Sequence, residues 1–253
     1  MNELGGSITN PNLLDALLTY EKALGTTENI FKGDLLSEAE RDFLLNDPNA
    51  FLFGQIADQS VRAETAWSLP YKLSQRLGHF SMESIISDYT MEDIQNVLKY
   101  KPSLHRYPGS MGRYLWLAAE KLLSEYHGSA KEIWEDATAQ MIVERLEQFV
   151  GISHKKASLA CLLLWRDLDV DIPDKQNIDI IYDVHIRRIF LRAGFCEKDT
   201  QREVIAAAKR INPEFPGYLT SAFWALGREI CRPTEPRCEV CPISLYCKNR
   251  YLK

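Results

Sequence analysis

Four of the chain's six cysteines, Cys231, Cys238, Cys241 and Cys247, fall in one short stretch with the spacing C-x6-C-x2-C-x5-C. Thiolates so close in sequence converge on a single soft metal centre, either zinc or an iron–sulfur cluster. Disulfides are the weaker reading. The opening MNELGGSITNPN has neither the basic nor the apolar segment of a secretory leader, which implies an intracellular, reducing setting. Cys161, in an apolar helical run, and Cys196, after Gly194 and Phe195, read as small buried hydrophobes.

Two other stretches carry chemistry. In FVGISHKKASLACLLLW a helical run ends at Gly151 and another starts near Ser153. So tight a reversal needs a residue tolerant of positive φ, which Gly151 supplies. The second helix then presents free N–H groups from a positive end. That is an anion site suited to a DNA phosphate whatever the base sequence. Gly151, Ser153, His154 and Lys156 are the candidate contacts. In IIYDVHIRRIF, Asp183 opens a helix, where its carboxylate suits the dipole. A fixed carboxylate also stabilises the positive charge that builds on a sugar when a glycosidic bond breaks.

The elements that must position these groups are helical. Apolar residues recur with helical period nearly throughout, between recognisable starts and stops: Asn10 and Pro11 before a run ending at Gly25, a capping box at Ser37 and Glu40, Thr138 before a run to Gly151. Further helices are expected at about 48–59, 62–77, 82–88, 91–99 and 111–127. No alternating strand pattern or repeat is present, so the expected class is all-α. RDLDVDIPDKQNID reads as a solvated loop, and its aspartates do not make a calcium loop, because Ile172 and Ile178 stand where Gly and Glu are needed. No apolar run is long enough for a membrane span. The net charge of −5 argues weakly against a nucleic-acid partner. The segment from Arg228 onward nevertheless carries six Lys or Arg (Arg228, Arg232, Arg237, Lys248, Arg250, Lys253) against Glu229, Glu235 and Glu239.

Taken together, these motifs resemble the endonuclease III-like DNA glycosylases of the helix-hairpin-helix superfamily. The cysteine spacing resembles that family's four-iron four-sulfur loop, and the likeness implies a 4Fe-4S cluster of chiefly structural role. Zinc stays open as the alternative. The hairpin departs from the family's L-P-G-V-G-x-K-T-A at Val150, Ser153 and Lys156, with Ser153 still able to act as an N-cap. Lys155 matches the nucleophile of the strand-cleaving members. A neutral lysine amine attacks the sugar carbon, and a helix N-terminus together with partial burial favours the neutral form. Lys156 is its rival. Asp183 matches the catalytic aspartate, with Asp179 as its rival and His185 structural.

The resemblance also assigns Gln59 to the gap left by an extruded base and Met111 to a wedge inserted into the duplex. It assigns Arg232 and Arg237 to the phosphates, with Lys248 and Arg250. Gly54 stands where the adenine-removing branch carries glutamate. The implied architecture is two helical domains flanking a cleft: a six-helix barrel with the hairpin (45–169), and a cluster domain made from both termini (1–44 and 170–253). The implied activity is that of a monomeric enzyme on double-stranded DNA with a damaged or abasic site. It would excise a base, by default an oxidised pyrimidine, and then cleave the strand as an abasic-site lyase. The alternatives are a monofunctional alkylpurine or mismatch glycosylase, and a non-catalytic damaged-DNA-binding module.

Overall fold

The computed structural model describes residues 11–24, 31 and 33–248. Among these there are thirteen α-helices, short 3-10 turns and no strand. No helix is long and apolar enough to cross a membrane. The chain divides into two compact units, one from residues 1–28 and 173–253, the other from residues 29–172.

The 29–172 unit holds α2 (Glu38–Asn46), α3 (Pro48–Ala57), α4 (Ala63–Leu77), α5 (Met82–Asp88), α6 (Met91–Lys99), α7 (Pro108–Glu125), α8 (Lys131–Trp134), α9 (Ala139–Glu147) and α10 (His154–Asp167). Local chemistry sets the starts. Ser37 and Glu40 form the expected capping box on α2. Asp47 accepts from the N–H groups of Asn49 and Ala50, and Pro48 opens α3. The core gathers aromatic rings, Phe31 and Phe51 on Trp67 at 4.8 and 5.6 Å between centroids. Two boundaries differ from expectation. α2, assigned from sequence to the terminal domain, stacks Phe43 on Tyr71 and Phe80 and so belongs here. α7 starts at Pro108 rather than at Met111, because proline lacks the N–H that the first turn leaves unbonded anyway.

The other unit holds α1 (Pro11–Leu24), α11 (Val184–Ala193), α12 (Gln201–Ile211) and α13 (Leu219–Glu229), followed by the cysteine loop. Asn10 and Gly25, the expected cap and stop of α1, lie outside the described residues. Phe190, Phe195 and Phe223 form this unit's aromatic centre. α11 and α13 approach closely at Gly227, where an added Cβ would come 2.6 Å from the Cβ of His185. The stretch read as a solvated loop is only partly so. Ile172 and Ile178 are 3 % and 2 % exposed, and buried Asp167 takes a bidentate pair of hydrogen bonds from Arg166 at 2.7 and 2.9 Å.

Candidate active site

The reversal between α9 and α10 has the expected form. Gly151 adopts φ +93°, and an added Cβ would come 2.8 Å from the Tyr114 ring and 3.0 Å from Gln59 Nε2. Glycine is therefore required twice over, for conformation and for space. Ser153 is the N-cap residue, but its hydroxyl makes no capping bond. The first-turn N–H groups of α10 therefore take no bond from their N-cap side chain, and such groups suit an anion. His154 is tied to Glu147, Nδ1 to Oε1 at 2.7 Å.

The two lysines that follow part company. Lys155 is exposed, where partial burial was expected. Lys156 turns inward. Its ammonium donates to the carbonyls of Ile56 and Gly151, both at 2.9 Å. Gln59 Nε2 donates to the same two carbonyls at 3.1 Å, and Gln55 Nε2 donates to the Lys156 carbonyl at 2.7 Å. These bonds fix the hairpin to the C-terminal end of α3, where unbonded carbonyls and the helix dipole favour a cation. Burial pushes the Lys156 pKa down to about 8, against an opposing pull from Asp58. Asp58 is itself raised by burial, against the charges of Lys156 and Lys155. His105, 3 % exposed, completes the end of α3 through Nε2 and the Ala57 carbonyl at 3.1 Å. Lys156, expected among the DNA contacts, is half-buried and bonded on its inner side.

Asp183 is the N-cap of α11. Its Oδ1 accepts from the N–H groups of His185 at 2.9 Å and Ile186 at 2.8 Å. The carboxylate is half-buried at the positive end of a helix, where its charge is favoured. Its sequence rival Asp179 is engaged by Lys209 at 3.0 Å. His185 Nδ1 lies 3.1 Å from an Arg188 guanidinium nitrogen, and Arg188 also donates to the carbonyls of Gly227 and Cys231 at 2.7 and 2.9 Å. A structural role for His185 fits that engagement. Lys155 and Asp183 belong to different units.

Cys231, Cys238, Cys241 and Cys247 line one pocket together with Ile189, Ile243 and Arg192. Arg192 donates to Cys231 Sγ at 3.4 Å and to the carbonyls of Arg232 and Pro233 at 2.7 and 3.1 Å. Lys248 N–H closes the loop onto the Ala193 carbonyl at 3.0 Å. Burial pushes the Cys241 thiol up to about 11, and the other three sulfurs add to the rise. Among the described residues no group of three or more His, Cys, Asp or Glu side chains is already set as a metal-ion site. Four thiols on one pocket, with a cation beside them and no carboxylate among the lining residues, still make a donor set that fits a soft centre held by thiolates.

Comparison with known proteins follows this geometry. No family model matches the chain. A stretch of 107 residues is 28 % identical to endonuclease III of Thermotoga maritima, covering 42 % of this chain and 46 % of that protein. A stretch of 74 residues is 36 % identical to adenine DNA glycosylase of Schizosaccharomyces pombe, covering 27 % and 16 %. The matched parts therefore span less than half the length of these relatives. A solved structure of endonuclease III trapped as a covalent intermediate with DNA superposes over 96 % of this chain and 97 % of its own, with TM-score 0.63 at 17 % identity. The chain has the fold of endonuclease III.

On this fold the remaining candidates fall out unevenly. Gln59 lies two residues beyond α3, not inside it, and holds the hairpin as described. Met111 is 2 % exposed inside α7. A wedge must protrude, and a side chain this deep in the core does not. Arg232 and Arg237 are exposed, while Arg250 lies outside the described residues. Gly54 sits under the Trp67 ring, where an added Cβ would come 2.5 Å from a ring carbon. The network of Gln55, Asp58 and His105 behind the hairpin was missed from sequence. A lysine where the motif carries threonine was its one visible signal.

The buried ammonium yields an expected result. Below about pH 8 Lys156 is protonated in folded and unfolded chains alike, and the full cost of burying its charge is present. Between about 8 and the ordinary lysine value the folded chain binds fewer protons, so this group's contribution to stability rises with pH. Urea unfolding of wild type and Lys156→Met across that window is expected to shift in favour of the wild type by up to about 3 kcal/mol. A difference that stays flat with pH would contradict the assignment.

Proposed function

We propose that this chain is a DNA glycosylase with associated lyase activity at abasic sites. The observation that carries the reading is the exposed Lys155 on the first turn of α10, next to free N–H groups, on a hairpin fixed to α3 from behind. A phosphate bound by those N–H groups would bring a deoxyribose within reach of the amine. As the bond from C1′ to the base breaks, the base leaves with the electron pair and takes up a proton. Asp183 stabilises the positive charge developing on the sugar. Lys155 Nζ bonds to C1′, and ring opening converts the adduct to an imine. Loss of a C2′ proton then expels the 3′ phosphate, and water releases the lysine. The four cysteines would hold a 4Fe-4S cluster, which supplies a stiff loop. Arg232 and Arg237 on that loop add phosphate contacts.

The closed space at Gly54 disfavours the adenine route, because a glutamate there has no room beside Trp67. Oxidised pyrimidines are the proposed lesion class, by likeness to endonuclease III. A monofunctional alkylpurine or mismatch glycosylase, in which water attacks and Lys155 only touches phosphate, is the second reading. The test is a set of duplexes carrying oxidised, alkylated or deaminated bases or an abasic site, incubated with the intact protein and borohydride. A covalent adduct on oxidised-pyrimidine and abasic duplexes is expected. Base release with no adduct selects the second reading, and binding without any chemistry overturns both.

A further inference from the structure

α13 is apolar and mostly buried, with Leu219, Phe223 and Leu226 each 0 % exposed, yet Trp224 on the same helix is 41 % exposed. An exposed indole on a buried helix needs a reason, since its ring gains by being covered. Its surroundings are specific. The His185 ring meets it edge-to-face at 6.3 Å between centroids, and the Arg228 guanidinium lies over it at 5.0 Å. His185 is the residue whose N–H is bound by Asp183, and the crossing at Gly227 holds α13 against it. Asp183, His185 and Trp224 therefore form one connected group within a single unit. Arg228 is itself exposed, and its ion pair with neighbouring Glu229 is a loose 3.4 Å, so the cation can exchange the ring for a phosphate.

We propose that Trp224 is a stacking platform for the base attached to the sugar on which Asp183 acts. This rests on the glycosylase reading above. A carboxylate acting at C1′ has the base only one bond further on, and a flat π surface linked to that carboxylate through His185 is matched by a flat ligand. Stacking accepts any base, so the platform would supply grip and leave lesion identity to other groups. Arg228, released from the ring, would pair with a flanking phosphate.

The platform matters only while a base is present. In the intact protein, Trp224→Ala is expected to slow release of an excised base by about ten-fold or more. Cleavage of a duplex with a preformed abasic site is expected to fall less than three-fold, and Trp224→Phe is expected to restore most base release. Equal loss on both substrates, no loss on either, or a phenylalanine variant as slow as the alanine one would overturn the proposal. Should the wild type act on no duplex, the glycosylase reading fails separately, and fluorescence still decides. A duplex with a modified base is expected to quench wild-type emission more than that of Trp224→Phe, and equal quenching counts against the platform.

Discussion

Lys155→Ala is expected to abolish the borohydride-trapped adduct on an abasic duplex and to slow strand cleavage by a factor on the order of 10³. Lys156→Ala is expected to keep the adduct. The neighbouring lysines make this a sharp comparison, because two physical arguments point in opposite directions. By pKa alone the nucleophile would be Lys156, whose amine burial brings to about 8. By access it would be Lys155. The Lys156 amine donates to two backbone carbonyls at 2.9 Å, so attack on a sugar means giving up those bonds and leaving a site beneath the hairpin. Access wins, because a sugar carbon must come within bonding distance of the nitrogen. Peptide mapping of the trapped complex provides the check: modification on Lys155 is the expected outcome, and modification on Lys156 overturns it.

This contrast also marks how far the sequence could be read. Gly151 announced the reversal, because positive φ with no room for a Cβ is a local demand that local sequence satisfies. Ser37 with Glu40 announced a helix start for the same reason. The direction of a side chain on the following helix is a different matter. Consecutive helical residues point about 100° apart, so one of two adjacent lysines can face inward while its neighbour faces solvent. Which one does so depends here on the carbonyls at the end of α3, some 100 residues earlier. Met111 failed for a related reason. Its apolar type suits a wedge and a core equally, and Pro108 drew the helix start far enough forward to put it in the core. The isoleucines of 166–179 were outvoted by the aspartates around them when the segment was read as solvated. Average polarity hides individual burial.

Asp183→Asn is expected to reduce base excision by a factor on the order of 10² to 10³ while leaving stability within about 0.5 kcal/mol. The substitution separates the two functions that one side chain can serve. As an N-cap, Asp183 needs only an oxygen to accept from His185 and Ile186, and the amide oxygen of asparagine does this as well. As a stabiliser of a developing cation it needs a full negative charge, which asparagine lacks. Alanine is the informative contrast. It removes charge and cap together, so Asp183→Ala is expected to lose about 1 kcal/mol of stability in addition to the activity. Thermal or urea unfolding measures the first effect, and single-turnover base release on a lesion duplex measures the second. If asparagine retained the wild-type excision rate, Asp183 would be a cap and nothing more, and the charge-stabilising role would fall to another group. If asparagine destabilised the chain as much as alanine does, the cap would depend on the carboxylate's charge and not on an accepting oxygen alone.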